Sequence, residues 1–451
     1  MMRRSWLGSV CLASLLILSS ACDSANIHLN HIPEQDGADL SKETIVLWKW
    51  IPSGDQMRDL EISFEQQNPD IDLVVQHIGE SEAYFQKLSV GLASGNGPDI
   101  IAMQVGANAN KYKSFLEPLR PYAEKSWGPD WKSRFHKLAL EQSASSGEDY
   151  RVLPGGITIT PLIFYNRSIF ESSNLEEPRT YDELLHVISV LRKSDPALQN
   201  GIGIGGKEGW ACRDIFMAIA GQIAPGKVYR AEQGLVPWTD PDLVESYRWW
   251  RKMFEDGVFD SQALERALYP YAYNDFNRGT LAMLSMGSWQ LSVMTRQAVS
   301  GLYHPNRFGL FPLPQLTEGT RRAATATVDV AWAMNRDSKH KEAVWKFIEF
   351  MTTGEGQRVW SNSLQVLPSA TGIQVDRKAM AGQMEEKALA TVLDYYTEPG
   401  MAGTRELTNS DVQQKLFEVL QALAAKGITP EEAALQMQQV MDRGALFENT
   451  N

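Results

Sequence analysis

Residues 44–103 decide the fold and read TIVLWKWIPSGDQMRDLEISFEQQNPDIDLVVQHIGESEAYFQKLSVGLASGNGPDIIAM. Short runs of β-branched and apolar residues alternate here with longer segments whose apolar residues recur at helical spacing. We predict strands at 44–48, 71–76 and 99–103, with helices at 56–68 and 81–93 between them. Because strand–helix–strand alternation builds a parallel sheet with helices on its faces, we predict an α/β fold.

A second α/β pattern follows residue 150. A capping box, Thr180 with Glu183, marks the start of one of its helices. The predicted strands are 157–165, 282–286 and 332–334, and the main helices are 180–192, 242–254, 341–351, 412–425 and 430–443.

The first 22 residues have the pattern of an export signal. Arg3 and Arg4 precede an apolar run at 6–18 and the small residues Ser19-Ser20-Ala21, and this run is too short to span a bilayer. The position of Cys22 resembles the bacterial lipobox, in which cysteine becomes the lipidated first residue of the mature chain. An ordinary cleaved signal with a chance cysteine is the alternative, and the two arginines also fit a twin-arginine signal. Polar residues at 22–42 predict a flexible tether after this signal of residues 1–21.

Composition narrows the classes of partner and of site. The chain of 451 residues has a formal charge of −12, and loss of Arg3 and Arg4 with the signal makes it about −14, which argues against nucleic acid. Only Cys212 remains in the body after processing, so we expect no disulfide and no cysteine zinc site. The seven histidines are scattered, and we expect neither a metal nor a cofactor. Thirteen tryptophans and fourteen tyrosines are a high aromatic content.

Seven segments in order carry a family resemblance that runs from residue 45 to about 440. They are IVLWKW (45–50), FEQQNPDIDLVVQ (64–76), YFQKLSVGLASGNGPDII (84–101), PLIFYNRSIFESSNLEEPRTYDELL (161–185), FNRGTLAMLSMGSW (276–289), VAWAMNRDSKHKEAVWKFIEFMTTGEGQ (330–357) and ITPEEAALQM (428–437). The chain resembles the extracellular, or periplasmic, solute-binding proteins of ABC transporters. Within them it is similar to the sugar-binding branch, the maltose-binding-protein-like lipoproteins of family 1.

The resemblance implies a two-lobed, type II-like periplasmic-binding-protein fold. Each lobe would be a mostly parallel sheet flanked by helices, with hinge strands between the lobes and the ligand in the cleft. By analogy the N-terminal lobe would be 43–156 plus 285–352, and the C-terminal lobe 157–284 plus 353–451. The general rule that ligands bind beyond the carboxyl ends of strands in open sheets points to the same cleft.

A sugar is held by aromatic rings against its apolar face and by polar groups at its hydroxyl rim. Trp289 and Trp210 match family positions where an aromatic ring stacks on sugar, with a core position as the alternative. Arg405 stands in a late loop where the family often has an aromatic residue. For Asp329, an internal salt bridge is an equal alternative to sugar contact. The full candidate set is Trp50, Gln104, Thr158, Thr160, Trp210, Trp289, Asp329 and Arg405.

The implied function is capture of a mono- or oligosaccharide and its delivery to the membrane permease of an ABC importer, without catalysis. The protein would be a monomer, carrying acyl chains such as palmitate at Cys22 on the outer face of the cytoplasmic membrane, which is the periplasmic side in a Gram-negative cell. Alternatives are a binder of a polyamine, phosphate ester or peptide, or a secreted glycoside hydrolase, which needs two carboxylates across a cleft.

Overall fold

The strand–helix alternation at the start of the chain is present in the computed structural model. It consists of β1 (Glu43–Lys49), α1 (Gly54–Gln67), β2 (Ile71–His77), α2 (Ser81–Ala93) and β3 (Ile100–Met103). β1 pairs in parallel with β2 on one side and with β3 on the other, as predicted. The structure describes residues 42–52, 54–79, 81–144, 149–195, 198–260, 262–296, 308–397 and 402–448. The predicted signal, most of the tether and Cys22 lie outside this range.

The remaining strands and helices follow in chain order. The strands are β4 (Leu153–Thr160), β5 (Leu162–Asn166), β6 (Gln199–Gly203), β7 (Leu281–Met286), β8 (Phe308–Pro312), β9 (Ala324–Met334) and β10 (Ala402–Gly403). The first nine of the remaining helices are α3 (Ala107–Tyr112), α4 (Arg120–Trp127), α5 (Lys137–Ser143), α6 (Arg167–Ser172), α7 (Tyr181–Ser194), α8 (Gly209–Ile223), α9 (Lys227–Glu232), α10 (Pro241–Glu255) and α11 (Tyr273–Asn277). The last five are α12 (Lys341–Thr352), α13 (Glu355–Asn362), α14 (Gln383–Thr397), α15 (Ser410–Ala424) and α16 (Pro430–Glu448).

Local sequence accounts for the start of α7. The Thr180 hydroxyl accepts a hydrogen bond from the Glu183 amide at 3.2 Å, as its N-cap position predicts. The Glu183 carboxylate accepts from the Arg179 amide at 2.6 Å, one residue before the amide that a capping box would use. The two bonds satisfy helix-end donors and fix where the chain enters α7.

The long strand β9 completes the first sheet. It runs antiparallel to β3 and β4 and parallel to β10, which gives the order β10-β9-β3-β1-β2, with β4 pairing along β9. Every residue of β9 is buried. The sequence predicted only its last three residues, 332–334, as strand. Alanine, threonine and aspartate before them dilute the apolar signal, and pairing with β4 supplies the missing stability.

The second sheet has the order β6-β7-β5-β8 and is mixed, with β6 parallel to β7 and β5 antiparallel to β7 and β8. The sequence run 157–165 is divided by Pro161 into β4, which belongs to the first sheet, and β5, which belongs to the second. Because a single residue separates β4 from β5, no helix connects these two strands. The mostly parallel arrangement that was expected is clearest in β1–β3.

Residues from Lys42 onward form one compact unit with two hydrophobic cores, one around the first sheet and one between the second sheet and α7, α8, α10 and α15. The lobe boundaries inferred from the family stay a prediction. β8 pairs with β5 in the second sheet, although the boundary at residue 285 would assign it to the N-terminal lobe. Among the described helices, none has the length and apolar character to cross a membrane.

Candidate ligand-binding cleft

A cavity of about 400 Å³, called here the inner compartment, lies where strands of the first sheet end. Trp50 follows β1, Gln104 follows β3 and Asp329 lies within β9. The same compartment is lined by Trp210, at the start of α8, and by Trp289, which follows β7 of the second sheet. Six of the eight candidate residues line the compartment, namely Trp50, Gln104, Trp210, Trp289, Asp329 and Arg405.

Trp289 forms one wall of the inner compartment. It lies in a 3₁₀ turn, Ser288–Met294, directly after β7, and its indole nitrogen donates to the Tyr269 phenol oxygen at 3.0 Å. The ring of Trp210 lies 5.9 Å from that of Trp289 at 70°, an edge-to-face contact. A side chain at Gly287 would overlap the Trp289 ring, so glycine is required for this close approach.

Trp50 forms part of the opposite wall. Its ring packs 5.0 Å from that of Tyr84 and 5.6 Å from that of Phe85, both on α2. The neighbouring Trp48 packs against Gly91 of the same helix and does not line the compartment. Of these two tryptophans, Trp50 therefore lines the inner compartment and Trp48 packs on α2.

A buried ionic cluster forms the floor. Arg405, 2 % exposed, donates to the Asp329 carboxylate and, at 3.0 Å, to the Glu406 carboxylate. Its Nη1 lies 3.7 Å from an oxygen of Asp214, and Arg213 donates to the other oxygen of Glu406 at 3.1 Å. Two guanidinium groups thus meet three carboxylates. Asp329 forms the internal ion pair and also lines the compartment, so its contact with a sugar stays a prediction beside the ion pair.

Burial sets the protonation of this cluster. It raises the pKa of Asp214 to about 6, against the opposing effects of Arg405 and of a hydrogen bond from Thr160. Burial also raises the pKa of Asp329, again opposed by Arg405. For Arg405, burial lowers the pKa, but the three carboxylates outweigh it and the net shift is upward. Arg405 is therefore charged at any ordinary pH, whereas the raised pKa of Asp214 lets its carboxyl keep a proton to a higher pH than an ordinary aspartate does.

The two threonine candidates do not line the compartment. Thr160 is fully buried and its hydroxyl donates to Asp214 at 2.5 Å and lies 2.7 Å from the Thr325 hydroxyl. Thr158 is fully buried too, and its hydroxyl has no hydrogen-bond partner among the described residues. Both lie inside β4 against β9, because that strand belongs to the first sheet and does not run along the cleft wall.

Eleven further lining residues were not predicted from the sequence, and His77, Tyr269, Tyr273, Gln290 and Gln365 are among them. The run YPYAY at 269–273, with three tyrosines in five residues, was an available signal. Its place in the cavity depends on contacts with a segment that is distant in the sequence. Gln290 donates a hydrogen bond to the Tyr273 hydroxyl at 3.3 Å, and Trp289 donates one to Tyr269.

His77 closes another side of the inner compartment. Its Nδ1 lies 3.0 Å from the ammonium of Lys49, which also donates to the Pro52 carbonyl at 2.6 Å. Burial lowers the pKa of Lys49 to about 8, against an opposing effect of Glu61, and burial and Lys49 lower the pKa of His77. His77 is thus held neutral at pH 7, with one ring nitrogen directed at Lys49.

A second cavity of about 740 Å³, called here the outer compartment, adjoins the first and shares Ser81, Gln104 and Trp210 with it. Its walls come from α2 and α3 on one side and from α8 and α15 on the other. Asn108 donates to Gln104 Oε1 at 2.7 Å. This bond orients the side-chain amide of Gln104, which lies where the two compartments meet. In the described part of the chain, no group of three or more His, Cys, Asp or Glu side chains is arranged to hold a metal ion.

A third cavity, of about 320 Å³, lies behind the segment 403–408 and contains none of the candidate residues. Its polar side chains are already engaged. Gln142 bonds the backbone of Ala326 and Val328, and the Tyr229 hydroxyl donates to the Thr404 carbonyl at 2.8 Å. This third cavity therefore offers a polar ligand few free partners among the side chains named here.

Comparison with solved structures places this geometry in a known fold. A chitin oligosaccharide binding protein matches with a TM-score of 0.72 and 20% identity over 89% of this chain and 99% of that one. Maltose-bound MalE3 of T. maritima matches with a TM-score of 0.72 and 19% identity over 88% of this chain and 99% of that one. The chain therefore has the two-lobed fold of periplasmic binding proteins.

Sequence comparison identifies the family. The glycerol-3-phosphate-binding periplasmic protein UgpB of Escherichia coli (strain K12) is 22% identical over 339 residues, which cover 72% of this chain and 74% of UgpB. The family model described as bacterial extracellular solute-binding protein matches residues 51–358, more than half of the chain. This chain belongs to the bacterial extracellular solute-binding protein family.

Proposed function

We propose that this protein is the lipid-anchored binding component of an ABC importer, and that it captures a carbohydrate in the inner compartment and delivers it to the membrane permease. It acts as an exported monomer held at the outer face of the cytoplasmic membrane through Cys22. The choice of a carbohydrate as the ligand rests on one observation, which is that Trp210, Trp289 and Trp50 line a cavity whose floor is made of paired charges.

Each part of the inner compartment suits one part of a sugar. The indole faces of Trp210 and Trp289 offer apolar surfaces for the C–H face of a ring. Gln104 and Gln290 offer amide donors and acceptors to the hydroxyl rim, and Asp329 with Arg405 adds a charged donor–acceptor pair. The ligand would thus meet aromatic walls and a polar floor at once.

The charge balance disfavours an ionic ligand. UgpB is named for a phosphate ester, and a phosphate needs a cation that is not already neutralised. Here Arg405 lies between Asp329, Asp214 and Glu406, so an added anion would meet a cluster with more carboxylates than guanidinium groups. A polyamine needs several free carboxylates, and Asp329 is the only acidic side chain among the described residues that line the inner compartment.

The same count disfavours hydrolysis. A glycoside hydrolase places two carboxylates on either side of the bond it cleaves. Among the described residues that line the inner compartment, Asp329 is the one carboxylate, and Arg405 holds it as an ion pair. We therefore propose binding and release without catalysis.

A thermal-shift screen of sugars, polyols, glycerol 3-phosphate, spermidine and short peptides tests the proposal. A ligand present at about 100 times its dissociation constant adds about 2.7 kcal/mol to the free energy of unfolding. We expect a clear upward shift with at least one carbohydrate. A shift with glycerol 3-phosphate, spermidine or peptide and with no carbohydrate overturns it, as does turnover of the bound sugar.

The anchor has its own test. Cys22→Ser removes the thiol that would be acylated, so the variant should appear in the soluble exported fraction with unchanged ligand affinity. Membrane association that survives this substitution contradicts anchoring at Cys22.

A further inference from the structure

The outer compartment adjoins the inner one, and its chemistry repeats that of the inner one. Trp210 and Gln104 line both, so a ligand that stacks on Trp210 also lies at the edge of the larger space beyond. The outer compartment holds about 740 Å³ against about 400 Å³ for the inner. A ligand confined to the inner compartment would leave the greater part of the cleft unused.

Two half-buried aromatic rings face the outer compartment from opposite sides. Phe85 on α2 is held by Trp50 at 5.6 Å and by a stacked contact with Tyr112 at 5.9 Å. Phe417 on α15 packs beside Gly209, where even a Cβ would lie within 3.3 Å of it. Rings fixed in this way are rigid surfaces on which a flat apolar face can stack at little entropic cost.

Amide side chains surround these rings. Gln86 and Asn108 come from the first side of the cleft, and Gln413 and Gln414 from the second. Gln414 and Gln86 are exposed, and Gln414 donates to Glu418 at 3.2 Å. Amides present donors and acceptors together, which matches the two-way hydrogen bonding of a sugar hydroxyl.

The charged groups of the outer compartment are of both signs. Glu82 and Asp411 stand against Lys111 and Arg213, and Arg213 is already paired with Glu406. This balance favours an uncharged polymer over an anionic or a cationic one.

We infer that the ligand is an uncharged linear oligosaccharide, a trisaccharide or longer, with one end in the inner compartment and the rest in the outer compartment between Phe85 and Phe417. This inference rests on the proposed function and makes it narrower, since a monosaccharide would fill only the inner compartment. The oligosaccharide would pass Trp210 and Gln104, which line both compartments.

Isothermal titration with xylo-, chito- and malto-oligosaccharides, from the monosaccharide to the hexasaccharide, tests the inference. In the series that binds, affinity should rise about tenfold or more between disaccharide and tetrasaccharide, as an added stacking contact of about 1.4 kcal/mol would give. Phe417→Ala should lower the affinity for the tetrasaccharide about tenfold more than that for the disaccharide. Phe254→Ala is the matched control, because this half-buried phenylalanine packs on the same core but away from the cleft.

The outcomes separate the two proposals. Equal affinity for monosaccharide and hexasaccharide, or equal losses for both lengths in Phe417→Ala, overturns the oligosaccharide inference and leaves sugar binding intact. Binding of no carbohydrate in any series overturns the proposed function itself. If Phe417→Ala does not fold, the exposed pair Gln86→Ala and Gln414→Ala gives the same length-dependent comparison, and an unchanged length dependence there also refutes the inference.

Discussion

The indole nitrogen of Trp289 donates a hydrogen bond of 3.0 Å to the phenol oxygen of Tyr269. This bond joins the 3₁₀ turn after β7 to the tyrosine-rich segment before α11, and it fixes the plane of the Trp289 ring. A stacking surface of this kind binds well because it loses little freedom when the ligand arrives.

Replacing Trp289 with alanine is expected to weaken carbohydrate binding by at least about tenfold, since about 1.4 kcal/mol of stacking and burial is lost. Titration calorimetry measures the effect. Trp249→Ala is the control, because Trp249 is also half-buried but contacts Tyr181 outside the cleft. Equal affinity of the Trp289 variant and the wild type would show that this ring does not touch the ligand.

Gly287→Ala tests the position of the same ring without removing it. The new methyl group would overlap the Trp289 ring and approach the Thr160 methyl group, so the ring must move. We expect weaker sugar binding and a changed tryptophan fluorescence spectrum. Gly372→Ala, at a glycine with open space around it and without a positive φ, is the comparison for general effects on the fold. Unchanged affinity at position 287 would mean that the ring position does not matter.

Arg405→Met should destabilise the protein by about 3–5 kcal/mol at pH 7, because it leaves Asp329 and Asp214 buried without their cation. Urea unfolding measures this. Adding Asp329→Asn to the variant should recover part of the loss, whereas Arg358→Met, at an exposed arginine, should change little. A stable single variant would show that the buried carboxylates do not need Arg405.

Asp214→Asn tests the raised pKa of that carboxyl. Because its pKa is about 6 in the folded state against an ordinary 3.8, the folded state binds the proton more tightly than the unfolded state. The resulting stabilisation is full below about pH 4 and is lost as pH rises from about 4 to about 6. Relative to Asp214→Asn, the wild type should therefore lose about 3 kcal/mol over that range, at about 1.4 kcal/mol per pKa unit. Parallel stability curves for the two proteins would contradict the shift.

Thr158→Val removes a buried hydroxyl that has no partner among the described residues and keeps the shape of the side chain. We expect unfolding to become harder by about 1 kcal/mol, with carbohydrate affinity unchanged. Thermal unfolding measures the change in stability, and titration calorimetry measures the carbohydrate affinity. A loss of affinity would restore the sequence-based expectation that Thr158 contacts the ligand.

Much of this cleft could be predicted from the sequence, since Trp50 and Gln104 stand directly after β-type runs and Trp289 follows the strand at 282–286. These positions depend on local patterns and on the general rule for strand ends. The ionic cluster was only half visible. Asp329 was recognised as a buried carboxylate in need of a partner, but Arg405 and Asp214 come from distant parts of the chain, and no local pattern pairs them.

The outer compartment could not be predicted for the same reason. Phe85 and Phe417 have helical spacing typical of core residues, and only the approach of α15 to α2 brings them to one space. Thr158 and Thr160 differ from the other candidates. The family resemblance put both in the candidate set, whereas the structure buries both in β4, paired with β9, and their contact with a ligand stays a prediction.

The place of β9 in the first sheet has a consequence for biosynthesis. Ile100 of β3 pairs with Met334, and β4 also pairs with β9, so a nascent chain that ends before residue 324 has β3 and β4 without their common neighbour. The open edge of such an incomplete sheet can pair with other chains. The first sheet can therefore be completed only after the chain has been made through residue 334, the end of β9.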